Sequence, residues 1–560
     1  ITNATQPGQS RVIEKGTKNE FYTVNLFSDY SRQLGDHYFK VMGGFNAEHQ
    51  NVRTLSAQRD GIIVPDLPTI DTSTEQDVAG GGYNHWATAG FFGRLNYNYK
   101  EKYLLEVNGR YDGTSRFMKD QRWNFFPSFS LGWNVARENF WKPLESVVNQ
   151  FKLRGSWGEL GNQNTSNLYP FYEILPVKSN SGNWLVNGGK TNTADIPSLV
   201  STLLTWERVR SFNVGFDFGA FSNRLTGSFD YFVRKTVDMV GPAPQLPLVL
   251  GIAPAIVNNA DMKSYGFEIE LSWRDRIGEV DYGVKFNLAD AQQKVVKYPN
   301  TTNAFSDWYA GKMSGEIWGY TSLGIAKTDE EMKEHLASLP NGGQNQLGNK
   351  WGAGDIMYAD INGDGKVDGG KGTLADPGDQ RIIGNSTPRY NFGLVLDASY
   401  KGFDVSIFFQ GVGKRDYAPI VGTNGAVFWG AVNNIWQSMA IEEHFDYFRP
   451  EGHPMGANLN GYYPRPDFTS NKNHQVQTRY LQDASYIRLK NLQIGYTLPK
   501  QWINKLHINR CRVYVSGDNL WTGTSLASMF DPETLAAGDW GSGKTYPLSK
   551  VISFGLNVNF

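Results

Sequence analysis

Residues 389–410 read RYNFGLVLDASYKGFDVSIFFQ. In the first half Tyr390, Phe392, Leu394, Leu396, Ala398 and Tyr400 fall on one side of a two-residue period, against Arg389, Asn391, Gly393, Asp397 and Ser399. In the second half Phe403, Val405, Ile407 and Phe409 oppose Asp404, Ser406 and Gln410. Side chains of an extended strand alternate between two faces. The stretch therefore reads as two amphipathic strands joined by the tight link 400–402, with one oily and one wet face. A soluble sandwich turns its oily face to a core. An outer-membrane barrel turns it to lipid and keeps the wet face toward the lumen. The choice rests on how often the pattern recurs and how the strands are joined.

It recurs from end to end. Residues 211–218, 265–273 (YGFEIELSW) and 280–288 share the period, and so does 551–560 (VISFGLNVNF), where Ile552, Phe554, Leu556, Val558 and Phe560 oppose small or polar residues. About fifteen such strands are expected. They fall near 21–31, 37–48, 86–99, 102–116, 123–138, 150–160, 206–219, 222–236, 264–275, 279–294, 388–400, 402–414, 484–497, 509–520 and 550–560. The links alternate between short (31–37, 99–102, 219–222, 275–279, 400–402) and long (49–85, 161–205, 295–387, 415–483, 521–549). Two further links, 139–149 and 498–508, suit a helical turn. Short turns on one side and long loops on the other are how up-and-down outer-membrane barrels are built. Propellers and sandwiches have no reason to keep that rhythm.

Composition agrees. Aromatic residues make up 14 % of the 560-residue chain and glycine contributes 61 residues, which suits a sheet protein with many turns. Mean hydropathy is −0.45 and no run of apolar residues is long enough for a membrane helix, a filter that barrels pass because only every second residue faces lipid. The net charge of −1 gives no reason to expect a nucleic-acid partner. A single cysteine, Cys511, excludes an intrachain disulfide framework. With short turns placed in the periplasm, the last strand runs down and the C-terminus is periplasmic, while Ile1 is expected outside the cell. Bacterial single-chain barrels begin in the periplasm with an even strand count. The expectation is therefore the C-terminal portion of a larger barrel, its N-terminal strands supplied elsewhere, because open edges in lipid are costly.

Longer stretches carry a family resemblance: GRLNYNYKEKYLLEVNGRYDGTSRF (93–117), FPSFSLGWNVARENF (126–140), FKLRGSWGELGNQN (151–164), LTWERVRSFNVGFDF (204–218), GFEIELSW (266–273), DINGDGKVD (360–368), GFDVSIFFQG (402–411), YLQDASYIRLKNLQIGYTLP (480–499), and YVSGDNLW (514–521) with FDPE (530–533). In these the chain closely resembles the SusC/RagA-type TonB-dependent transporters of Bacteroidetes outer membranes. The final strand resembles that family's C-terminal assembly signal. The resemblance implies a 22-stranded, plugged barrel of which about seven strands and the plug have no counterpart here. It also implies import of oligosaccharides or peptides driven by TonB–ExbB–ExbD, and a SusD-like surface lipoprotein acting as a lid.

One local motif points to a ligand. Asp360, Asn362, Asp364 and Asp368 place oxygen donors at positions 1, 3, 5 and 9 of a calcium-type loop, with Gly365 at position 6 and the Lys366 carbonyl at position 7. Position 12 is Lys371 where an EF-hand has a glutamate, so Asp376 or Asp379 would complete the shell. Ca2+ is expected before Mg2+. The same residues also suit an Asp/Asn/Gly turn without metal.

Trp184, Trp308, Trp429, Trp436 and Trp540 fall in long loops, where they suit stacking on sugars or peptide side chains, loop packing, or lid contact. Tyr103, Tyr282 and Tyr400, beside short turns, read as an interfacial girdle. Glu268 and Glu270 share a face, as a glycosidase pair would, but a wet lumen wall explains them as well. Cys511, in phase with Val513 and Val515, reads as lipid-facing. No HExxH, G-x-S-x-G or phosphate-binding loop is present, so an enzyme is not expected. A transmembrane barrel importer is the reading. A structural or adhesive outer-membrane protein and a secreted all-β glycan-binding or hydrolytic protein are the alternatives.

Overall fold

In a computed structural model, the described residues are 10–75, 77–165, 167–243, 247, 249, 251–252, 254–419, 441–467, 472–503, 507–535 and 545–560. Fifteen long strands form one antiparallel sheet whose spatial order follows chain order. They are β1 (Arg11–Leu34), β2 (His37–Asp60), β3 (Asp77–Tyr99), β4 (Tyr103–Thr114), β5 (Trp123–Asn134), β6 (Val148–Asn162), β7 (Glu207–Ala220), β8 (Leu225–Gly241), β9 (Val257–Ile277), β10 (Val280–Lys297), β11 (Arg389–Tyr400), β12 (Phe403–Lys414), β13 (Tyr486–Thr497), β14 (Arg510–Thr524) and β15 (Val551–Asn559). No helix among the described residues is long and apolar enough to cross a membrane. All fifteen expected strands are present, as an up-and-down meander. The chain divides into two compact units, Ile1–Trp133 with Arg154–Phe212 and Lys235–Asp261, and Asn134–Leu153 with Asn213–Arg234 and Met262–Phe560.

In the first unit the register separates the faces. Tyr99, Tyr103 and Trp133 stand in one row, and Leu95, Val107 and Phe129 in another, all on one side. On the other side Asn96 donates to Glu106 at 2.6 Å, Arg94 to Asn108 at 2.6 Å, and Asn108 to Glu106 at 2.9 Å and Ser128 at 3.3 Å. Such a ladder satisfies polar groups across strands without a water-filled neighbour for each. The aromatic row next to the short turns is real: Tyr99–Tyr103 and Tyr103–Trp133 stack at 6.4 and 6.5 Å. Strands β1 to β3 outrun the expected segments, so the expected loop 49–85 shrinks to 61–76. Their continuation is polar and glycine-rich, and two-faced alternation fades where neither face has to meet lipid. The link 115–122 is also short, which interrupts the strict short–long rhythm; Phe117 anchors it against Trp206 at 5.8 Å.

The second unit repeats the division. Val284, Leu396, Ile407 and Leu492 form one apolar row across β10 to β13. On the wet side Arg512 donates to Asp404 and, at 2.9 Å, to Gln493, and Asn491 donates to Asp518 at 2.7 Å. The girdle continues in Trp273, whose indole donates to Tyr282 at 3.2 Å, and in Phe403 against Tyr496 at 4.4 Å. The short links 135–147 and 498–509 hold 3-10 turns and a four-residue helical turn, as expected for such spans. Cys511 is a correction: it is buried, with Leu498 N–H donating to its carbonyl at 2.9 Å, while Val513 and Val515 on its face are exposed. The helical turn Lys500–Ile503 packs on β14 there.

Candidate functional site

The described parts of the second unit's long loops pack together. Tyr320, Ile356, Tyr358 and Val367 from residues 298–388, Tyr417, Tyr463 and Tyr480 from 415–485, and Leu526 and Phe530 from 525–550 pack into one buried cluster. Loops far apart in sequence thus share a hydrophobic core of their own, the usual requirement for an independently ordered layer. Burial pushes the Tyr320 phenol up to about 12 and the Tyr358 phenol well above its ordinary value. Tyr358 donates to the Lys472 carbonyl at 2.7 Å and accepts from Gln477 at 3.1 Å. A helix, α1 (Asp329–Ala337), is capped by Thr328, which accepts from Glu331 N–H at 3.1 Å, and it buries Met332 in this layer.

Two ionic clamps hold the layer. Asp355, fully buried, accepts from Arg465 at 2.8 and 2.6 Å, from Lys472 at 2.9 Å and from Asn473 at 2.9 Å. Lys472 also lies over the Trp351 ring at 5.1 Å. The second clamp explains the FDPE stretch. Arg488 on β13 donates to Asp531 at 2.7 Å and to Glu533, and Lys490 donates to Glu533 at 2.7 Å. The wall thereby grips the last long loop by two neighbouring carboxylates. Neither clamp was visible in sequence, because the partners lie up to 118 residues apart.

Asp360, Asn362, Asp364, Lys366 and Asp368 do share one loop, with Val367 in the buried core of this layer. The Asp360 carboxylate accepts from Gly363 N–H at 2.6 Å and Gly365 N–H at 2.8 Å. Both glycines have left-handed backbone (φ 78° and 80°), and a side chain at 365 would press on Asn341. Asn362 accepts from Asp364 N–H at 2.9 Å, and Asp364 from Lys366 N–H at 3.2 Å. The Lys366 ammonium rests on Asp368 and stands 3.8 Å from Asp364. That contact raises the Lys366 amine and, through the hydrogen bond from Lys366 above all, holds Asp368 below the usual carboxylate range. Asp379 is fully buried and accepts from Ile361 N–H at 2.7 Å and Asp368 N–H at 2.8 Å; desolvation pushes its carboxyl up. The oxygens are spent largely on backbone N–H groups, with the lysine as counter-cation. Among the described residues no three His, Cys, Asp or Glu side chains group as a metal-holding cluster.

Of the loop tryptophans, Trp184 is 61 % exposed in the first unit, beside the small ladder Leu185–Val186 with Gly189–Lys190. Trp308 is 40 % exposed in the second unit, 5.6 Å from Tyr298. Trp429, Trp436 and Trp540 lie outside the described residues. Glu268 and Glu270 are exposed on the wet face of β9.

An amphipathic fifteen-strand meander with girdled short turns and a packed layer of long loops is the wall of an outer-membrane β-barrel. Residues 2–520 match the family described as TonB dependent receptor-like, beta-barrel, and the chain belongs to that family of Gram-negative outer-membrane proteins. It is 28 % identical to TonB-dependent receptor P3 of Formosa agariphila, over 96 % of this chain and 52 % of that protein. It is 24 % identical to TonB-dependent receptor SusC of Bacteroides thetaiotaomicron, over 96 % of this chain and 50 % of that one. Among solved structures, that of the RagAB peptide transporter superposes with a TM-score of 0.77 at 20 % identity, covering 98 % of this chain and 56 % of that chain. The chain spans about half the length of the curated relatives it matches.

Proposed function

We propose that the chain is the C-terminal wall and loop layer of an active outer-membrane importer for oligosaccharides or peptides, and not an enzyme. The observation that carries this reading is the pairing of a two-faced sheet with long loops folded into one clamped layer: a wet wall under an ordered cover suits controlled passage. The short turns and the end of β15 lie on the periplasmic side. Among the described residues strands β1 and β15 each have one neighbour in the sheet, and a row of unpaired backbone groups in lipid costs several kcal/mol per group. Further strands therefore complete the barrel. Energy comes from TonB–ExbB–ExbD through a plug region outside this chain, and a SusD-like lipoprotein sits over the loops. The test is uptake of labelled oligosaccharides and oligopeptides by cells with and without the gene, before and after a protonophore. Gene-dependent uptake abolished by the protonophore is expected. Absence of any gene-dependent uptake, together with gene-dependent attachment to glycan or matrix surfaces, would replace import by adhesion.

We further propose a divalent cation, Ca2+ before Mg2+, at Asp360, Asn362, Asp364, the Lys366 carbonyl and Asp368. The oxygen-rich spacing favours it, and binding requires the Lys366 ammonium to leave Asp368. Calcium at about 1 mM should slow proteolysis within 355–380, as for weak extracellular calcium modules, and Asp360→Ala should abolish the protection. No protection at ten times that concentration overturns the metal.

A further inference from the structure

Strand β10 outruns its partner β11, since the ladder between them ends at Ala289 and Asn391. The free edge of β10 is taken by the segment 311–314 of the following loop. Val295 N–H donates to the Lys312 carbonyl, Gly311 N–H to the Val295 carbonyl and Ser314 N–H to the Gln293 carbonyl, each at 2.9 Å. The segment is thus hydrogen-bonded as a short strand is, and the chain around it lines a cavity of about 110 Å3 with Met262 of β9. Met262 is in phase with Glu268 and Glu270, and Gln293 and Val295 with Lys285 and Asn287, so the cavity opens on the wet face of the wall at its long-loop end.

Two charged residues line it, Lys312 with its three ammonium donors engaged and Glu316 with one acceptor site used on each carboxylate oxygen. The Lys312 ammonium donates to the carbonyls of Phe305 at 2.8 Å, Ser306 at 3.2 Å and Asp307 at 2.8 Å. Glu316 accepts from the Tyr309 hydroxyl at 2.6 Å and from Met313 N–H at 2.7 Å. Burial lowers the Lys312 amine and pushes the Tyr309 phenol up to about 12, as a poorly hydrated niche requires. What remains for a ligand is apolar: Val295, Met262, Met313 and the face of Trp308, with Gln293 and Ser314 at the exposed rim. An apolar floor with a few polar groups at the edge is the usual make-up of a small-ligand site.

We propose that this cavity is a subsite for one aliphatic side chain of an oligopeptide ligand, with Gln293 and Ser314 meeting the peptide backbone at the rim. The proposal rests on the import reading and gives it a substrate class. A sugar is disfavoured because most of its hydroxyls would lose water against the apolar floor, with Lys312 spent and only the remaining acceptor sites of Glu316 to receive them. Size narrows the choice further. A cavity of roughly 150 Å3 admits benzene; this one, at about 110 Å3 and open at its rim, fits Val, Leu or Met better than Phe or Trp. The two methionines adapt to small differences in side-chain shape.

The test is binding by the complete detergent-purified transporter, completing strands and plug included, of an oligopeptide series differing at one position (Ala, Leu or Phe). The Leu peptide should bind about 10-fold tighter than the Ala peptide, the scale of selection that a hydrophobic pocket achieves, and the Phe peptide should lose that gain. Trp308→Ala should reduce the Leu/Ala ratio to below about 3-fold. Met262→Trp, which fills the cavity from the strand side, should do the same. An unchanged Leu/Ala ratio in both variants overturns the proposal. So does the absence of peptide binding, or oligosaccharide binding that Trp308→Ala weakens. Selective binding without protonophore-sensitive uptake would instead defeat the import reading and leave the subsite standing.

Discussion

At the scale of single residues, the decisive positions are buried charges in the loop layer. Asp355 pairs with Arg465 and with the buried Lys472, so removing it leaves Asp467, 3.8 Å away, as the carboxylate partner of Lys472, at a cost of up to about 3–5 kcal/mol. Asp355→Ala should open the loop layer to limited proteolysis within 441–480 while the barrel strands stay protected. Asp368 supplies a pH dependence with a defined sign. Its carboxyl titrates below the usual range because Lys366 binds the ionised form. Its contribution is therefore complete above an ordinary carboxylate pKa of about 4 and is lost only as pH falls through the lower folded value. Pepsin cleavage within 360–379 should accelerate only below about pH 4 in the native protein. Asp368→Asn should be cleaved already above that pH.

At the scale of elements, a strand here has to satisfy two solvents. Ile407 stands in an apolar row with Leu396 and Leu492, whereas its neighbour Ser406 stands with Asp397 and Gln493. An arginine near the middle of the lipid face costs about 2–4 kcal/mol, and substitutions on the lumen face cost little. Ile407→Arg should therefore sharply lower the folded fraction in bilayers, read as the heat-modifiable band on gels, and Ser406→Lys should leave it nearly unchanged. The clamp from β13 to the last long loop has a different readout. Arg488→Ala removes the shared partner of Asp531 and Glu533. That variant should release 525–535 to protease and raise outer-membrane permeability to large antibiotics without lowering barrel yield.

At the scale of the whole molecule, the sheet is a wall with two edge strands. Expressed alone, the chain should fail to give an SDS-resistant folded band in outer membranes. Co-expression with a segment supplying the completing strands should restore it, because only closure pairs the outer edges of β1 and β15 in lipid. The strands that form this wall were legible from alternation alone, since a membrane wall must repeat its pattern in every strand. The extension of β1 to β3 was not, because a strand in water on both sides has no face to keep apolar.

The sequence by itself determined the fold class, the fifteen strands, their meander order and the aromatic rows beside the short turns. Each of these follows from local rules: a period of two, tight links and the demand of lipid for one apolar face. Only the tertiary structure decided what the long loops do. FDPE became a clamp when Arg488 and Lys490 were placed beside it, and the Asp360–Asp368 turn met its lysine counter-ion and the buried Asp379. Trp308 acquired a cavity because segment 311–314 pairs with the free edge of β10. These contacts range from two positions apart, for Lys366 and Asp368, to 43 for the Arg488–Asp531 and Lys490–Glu533 pairs, and the Asp355 clamp spans up to 118. Their energies depend on burial and partner geometry, which no window of sequence contains.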